Sequence, residues 1–284
     1  MTGVPVVCRA TLPPMRRLFP STTSVTKAPA SGGTVTESPQ GQWSLESLMD
    51  AYAYPEAPTG PGGSWLRANM VASLDGAAHH EGRSQPLSCE ADMRIFGVLR
   101  GLADAVVVGA QTVRQEGYRP ARRREAFEER RAAAGQGPAP AIAVVSAGLE
   151  LDFGLPLFTE PLVPTLLVTG AAAPQQGLAE ARRRGVEVVF AGDGAAVDPG
   201  RVAGALAERG LRRLLTEGGP RMLGQFTEAD ALDELCLTIS PRITAGDAPR
   251  IVNGWGHTVP ADFSLEGLLE ENGFLFTRYS RVRQ

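Results

Sequence analysis

Short, almost wholly apolar runs recur along most of the chain: Trp65–Ala72, Ala105–Val108 ending at Gly109, Ala141–Val145, Leu166–Thr169, Val186–Phe190, Leu211–Thr216 and Leu235–Ile239. Runs this short and this apolar are the pattern of strands covered on both faces. Between them the spacing changes. Met93, Phe96, Leu99, Leu102 and Ala103 recur every three to four residues, which predicts a helix from Cys89 to about Ala103. Ser88 is its expected cap, and Glu90 and Asp92 complement the dipole of its first turn. Ser44 is placed to cap a short helix over residues 45–49. One further helix stops at Gly185 after Arg182–Arg184; another opens at Asp198-Pro199 and stops at Gly210. Alternating strands and helices predict a largely parallel sheet with helices on both faces. Phe274–Arg281 alternates apolar and polar residues and reads as an antiparallel edge strand. Residues 119–140 read as a solvated helix and a loop.

Residues 1–42 have a different texture. Rich in Pro, Ser, Thr and Gly, they offer too little apolar surface to offset their ordering entropy, so a disordered tail is expected there. Arg16-Arg17 follow Met15, and translation is expected to begin at Met15; an intact mass that includes residues 1–14 rejects this.

Composition narrows the function. The 284 residues are 43% hydrophobic and 21% charged, a globular balance, with a net charge of −3. That charge offers no positive field for nucleic acid or an acidic membrane surface. No apolar run approaches the roughly 18 residues a membrane helix needs. Cys8, Cys89 and Cys236 lie far apart and form no CxxC pair, which suits a reducing cytoplasm. Lys27 is the only lysine and sits in the tail, so neither a Schiff-base nor a P-loop lysine is available. His79-His80-Glu81 matches the opening of a zinc deaminase signature, but no P-C-x-x-C follows, and no metal is expected.

Three turns carry the chemistry. Thr216-Glu217-Gly218-Gly219-Pro220-Arg221 follows a strand and opens a helix through Met222, Leu223 and Phe226. Proline suits the first helical position, and two glycines let a ligand approach the backbone. The free amides at that helix start form an anion site suited to a dinucleotide diphosphate; a simple tight connection explains the turn equally well. Gly109-Ala110-Gln111-Thr112 follows the most apolar strand, at the edge where open α/β sheets collect ligands. There Thr112 either donates to a phosphate or amide or caps the next helix. Asn69 to Gly76 carries polar side chains around a strand end, and Asp75-Gly76 is also an ordinary turn pair.

Taken in order, these pieces resemble a known family. Ala72-Ser73-Leu74-Asp75-Gly76, then Leu99-Arg100 with Ala103-Asp104-Ala105-Val106-Val107-Val108-Gly109 and Thr112-Val113, then Glu217-Gly218-Gly219-Pro220 with Asp233-Glu234-Leu235 and Pro241, resemble the pyrimidine reductase domain of riboflavin biosynthesis. Trp65–Asn69 and Leu215–Pro220 are similar to its stand-alone actinobacterial members. The likeness spans roughly residues 64–280. It implies a dihydrofolate-reductase-like three-layer α/β fold, mostly parallel with an antiparallel C-terminal edge, and a single reductase domain over residues 43–284.

It also implies NADPH as cofactor and hydride transfer to a small heterocyclic substrate. By motif match, Gly218, Gly219, Pro220, Arg221, Met222 and Leu223 hold the diphosphate, with Gly109 and Thr112 beside the cofactor and Val71 and Ala72 at the nicotinamide amide. Ser146 and Thr169, each at a strand end, are assigned to the 2′-phosphate. Asn69, Asp75, Ser84 and Glu217 face the substrate. The family usually continues past its threonine with Asp-Asp-Pro and an arginine; here Gln115-Glu116-Gly117-Tyr118-Arg119-Pro120 stands there, so the resemblance puts Glu116 in the place of the first aspartate and Arg119, or an arginine after it, at the substrate phosphate. Asp75 and Glu217 are the expected catalytic pair, either of them able to give a proton if an apolar cleft raises its pKa. A homodimer is expected, pairing through an edge strand at Leu235–Ile239. Two other readings stay open: a dihydrofolate or pterin reductase on the same fold, and a nucleotide-binding regulatory protein without turnover.

Overall fold

The computed structural model describes residues 15–19, 43–254 and 259–283. Its strands are β1 (Arg16–Phe19), β2 (Trp65–Ala72), β3 (Ala105–Gly109), β4 (Ala141–Val145), β5 (Leu166–Thr169), β6 (Glu187–Phe190), β7 (Arg213–Thr216), β8 (Glu234–Ile239), β9 (Phe263–Glu271) and β10 (Phe274–Arg281). They form one sheet in the order β1-β9-β10-β8-β2-β7-β3-β4-β5-β6. From β8 to β6 every pairing is parallel. From β1 to β8 every pairing is antiparallel.

The helices are α1 (Leu45–Ala51), α2 (Glu90–Leu102), α3 (Ala110–Glu116), α4 (Glu128–Ala133), α5 (Pro156–Thr159), α6 (Gln175–Arg183), α7 (Pro199–Ala207) and α8 (Pro220–Glu228). Alternation along each strand divides the core into two layers. Val106, Val108, Leu215 and Cys236 pack with α1 and α2 on one face. Leu66, Ala68, Val107 and Leu214 pack with α7 and α8 on the other. Gly101 of α2 lies where a Cβ would run into the Phe127 ring, so only glycine lets the segment before α4 close on that helix. Among the described residues no helix is long and apolar enough to cross a membrane.

Strand positions agree closely with the apolar runs, and Ser44 caps α1 by accepting the Ser47 amide. Four expectations change. Cys89, not Ser88, caps α2, with its Sγ 3.5 Å from the Asp92 amide; Ser88 instead donates to the Asp92 carboxylate at 2.5 Å. Within the expected tail, Arg16–Phe19 is a strand on β9 and Met15 is buried; the rest of residues 1–42 lies outside the described residues. β10 is antiparallel but not an edge, because β9 and β1 continue the sheet beyond it. Finally, β8 is paired on both sides, by β10 and β2, so it offers no edge for a second copy. Strand β9 escaped the apolar pattern; its signal was Asn272-Gly273, both at positive φ, the pair that a tight hairpin turn demands.

Candidate active site

β2, β3 and β7 run parallel and end at the same edge of the sheet, and the three motif turns follow them there. The turn after β7 reaches α8 through Gly218 (φ +88°) and Gly219. Gly219 occupies the cap position of α8 with no side chain bonded to the helix start. A Cβ on Gly219 would sit 3.3 Å from Thr112 Oγ1, so the turns after β3 and β7 touch. Pro220 fixes the first helical φ and lacks the amide that position would otherwise leave open. The first-turn amides of a nine-residue helix are thus presented without a competing side chain.

These turns line a cleft of about 540 Å³ that contains Gly109, Thr112, Ser146 and Gly219–Met222. Met222 closes its floor, with Sδ 3.7 Å from where a Gly109 Cβ would be. Across it stand His79, Pro249 and Asn253, from two loops tied to the body. The Ala78 amide donates to Pro249 O at 2.9 Å and the Asn253 amide to Pro220 O at 3.0 Å. None of these three stood out in the sequence as a cleft residue, because only the loop docking brings them there.

A second cleft, about 560 Å³, opens between α2 and the segment after α3. Met93, Phe96, Arg100, Glu116, Tyr118 and Arg119 line it. Behind two of these lining residues lies Glu217, which takes a forked ion pair from Arg100, Nε to Oε1 at 2.5 Å and Nη2 to Oε2 at 2.6 Å. Tyr118 donates its hydroxyl to the same Oε2. The Glu217 side chain is 7% exposed and that of Arg100 29%. Asn69 follows Ala68, which is in register with Thr216, so Asn69, still within β2 and paired with Cys236, lies level with Glu217, the first residue after β7.

The remaining expected residues divide. Val71 and Ala72 close β2 at this edge, half-buried and buried. Ser146 reaches the first cleft while its Oγ accepts the Leu149 amide at 3.1 Å. Thr169 is wholly buried away from that cleft, its Oγ1 without a partner among the described residues, and Leu223 is wholly buried in the core. Ser84 is exposed on a turn outside both clefts. Asp75 is exposed as well, and it is a turn-builder. Its carboxylate accepts from Ser73 Oγ at 2.5 Å, the Ala245 amide at 2.7 Å and the Thr244 amide at 3.2 Å. The Ser73 bond, then the Ala245 amide, hold its pKa down to about 2. The expectation of a raised pKa at Asp75 is therefore corrected: donors surround it, not an apolar cleft.

A family model described as the RibD C-terminal domain matches residues 64–269. The chain belongs to that family. Curated relatives include a 2,5-diamino-6-ribosylamino-4(3H)-pyrimidinone 5′-phosphate reductase of Archaeoglobus fulgidus, 29% identical over 67% of this chain and 86% of the relative. The protein of the same name from Methanothermobacter thermautotrophicus is 30% identical over 68% of this chain and 86% of its own. Among solved structures, a pyrimidine reductase-like protein of Corynebacterium diphtheriae aligns at a TM-score of 0.71 with 29% identity, covering 84% of this chain and 99% of that one. The family match takes in both clefts and the whole parallel half of the sheet, but not Arg16–Phe19.

Proposed function

We propose that this protein is an NADPH-dependent reductase of a ribosylamino-pyrimidine 5′-phosphate, of the riboflavin-pathway type. The observation that carries the reading is the contact of Gly219 with Thr112 at the bare start of α8: a cradle that a single Cβ would crowd, aimed into a cleft of cofactor size. The residues fit a nicotinamide dinucleotide. Gly219, Arg221 and Met222 would hold its diphosphate, with Thr112 beside them and Ser146 toward the 2′-phosphate. When bound, that cofactor supplies the hydride.

The chain supplies orientation and electrostatics. Glu217, tied to the wall of the second cleft through Arg100 and Tyr118, grips the pyrimidine, and as an ion-paired carboxylate it accepts hydrogen bonds only. Arg119 and Arg122, exposed and without an ion pair among the described residues, offer charge for the substrate phosphate. Asp75 acts by shaping the turn that covers the end of β2. We place the enzyme in the cytoplasm, in keeping with the free thiols of Cys89 and Cys236, and expect it to be a homodimer that pairs elsewhere than β8. Light scattering that finds a monomer at micromolar concentration removes the dimer from the proposal.

The test of the activity is a fluorescence titration with NADPH followed by cofactor oxidation with the pyrimidinone phosphate and with dihydrofolate. Binding with oxidation on the pyrimidine supports the reading. Oxidation on dihydrofolate alone moves the enzyme to pterins, and binding without oxidation favours a regulatory protein.

A further inference from the structure

The carboxylate of Glu217 is nearly saturated. A carboxylate offers about four acceptor positions. Arg100 Nε takes one on Oε1, while Arg100 Nη2 and the Tyr118 hydroxyl take both on Oε2. Among the described residues one position, on Oε1, is left. The donors are themselves fixed. The Arg100 guanidinium lies over the Phe96 ring at 4.5 Å and beside the Tyr118 ring at 5.3 Å, and its Nη2 also donates to Tyr118 Oη at 3.0 Å. Tyr118 is anchored in turn: its amide donates to Val113 O at 3.2 Å, just past the left-handed Gly117 that ends α3.

Resting on the function proposed above, we infer that Arg100 and Tyr118 are positioning residues that hold Glu217 with a single open acceptor atom, and that Tyr118 thereby sets how the substrate is gripped. One lone pair accepts one N–H or O–H of the heterocycle, in one orientation. Without Tyr118 the second oxygen opens and the substrate gains a competing register. Arg100 acts through its fork, not through charge alone, since two parallel N–H groups fix the carboxylate plane.

The experiment measures steady-state kinetics with NADPH and 2,5-diamino-6-ribosylamino-4(3H)-pyrimidinone 5′-phosphate for wild type, Tyr118→Phe, Arg100→Met and Arg100→Lys, with a thermal melt and an NADPH titration for each. A competing, unproductive register that draws on one hydrogen bond of ordinary strength predicts that Tyr118→Phe lowers kcat about five- to tenfold with KM falling in parallel, so that kcat/KM changes no more than about twofold. Arg100→Met should lower kcat/KM about a hundredfold, and Arg100→Lys should recover less than about a tenth of that loss. NADPH affinity should stay within about twofold throughout, because the cofactor lies in the other cleft. Unchanged kinetics in Tyr118→Phe, full rescue by Arg100→Lys, or parallel losses in melting temperature, kcat and NADPH binding would each overturn the inference. If the wild type itself fails to oxidise NADPH on this substrate, the functional reading falls first and the inference with it.

Discussion

Two arginine–glutamate pairs sit on the same half of the sheet and do opposite things. Arg67 and Glu234, on neighbouring strands, are both fully buried, with Arg67 Nη2 donating to Oε2 at 3.0 Å. Arg67 Nε lies 2.8 Å from Oε1, close enough for charge attraction, but it is out of line for a hydrogen bond. Other donors are spent on structure: Arg67 donates to Tyr52 O at 2.7 Å and Arg278 to Ala51 O at 2.8 Å, capping the end of α1. Trp65, Arg278 and the Cys236 thiol complete the shell of Glu234, two donors on each oxygen. Burial alone would raise the pKa of Glu234, but the charges of Arg67 and Arg278 outweigh it and hold the carboxyl low. Arg100 and Glu217 lie instead where β7 ends, and among the described residues one acceptor position of that carboxylate is not taken up. The same ion pair is a rivet where every lone pair is used by the chain, and a binding device where one is left over.

The largest expected effect tests the rivet. Glu234→Gln should cost about 3–5 kcal/mol of stability by stranding Arg67 in the core. Chemical denaturation reads this, and a loss below about 1 kcal/mol would erase the contrast between the two pairs. Glu217→Gln should do the reverse. We expect kcat/KM on the pyrimidine to fall about tenfold to a hundredfold, as for a lost hydrogen bond to a charged group, with NADPH affinity nearly intact. Equal losses in turnover and cofactor binding would count against its place on the substrate side.

Gly219→Ala is a finer probe. Its Cβ meets Thr112 at 3.3 Å, so the cradle must give by tenths of an ångström while the negative φ of this residue suits alanine. NADPH affinity should fall about tenfold with little change in melting temperature. Normal affinity would move the cofactor away from this turn.

The smallest effect concerns pH. The pKa of Asp75 is lower folded than unfolded, so its contribution to stability is complete above about pH 4 and fades as pH falls through about 2. Asp75→Asn should remove that segment of the acid-denaturation curve and leave neutral-pH turnover largely unchanged. A matching loss of kcat would return Asp75 to the chemistry.

Much of this was legible beforehand, and the reason is local. Strands β2, β4 and β5 begin and end where their apolar runs do, because a strand covered on both faces has little room for polar residues. Arg67 is the charged residue among them. Its partner lies 167 residues away, which no local pattern displays. Tyr118 and Arg100 were visible as residues, Arg100 even within a quoted motif, but nothing in the spacing joins them to Glu217. Asp75 misled for a related reason: an Asp-Gly pair marks a turn, and only the docking of residues 244–245 shows which donors surround the acid.

What the sequence determined by itself was periodicity, turn chemistry and the start of α8, all properties of a few consecutive residues. Tertiary structure alone decided which strand became an edge, which carboxylate was sealed and which was left open. Those outcomes depend on counting donors around one atom, and the donors arrive from distant parts of the chain.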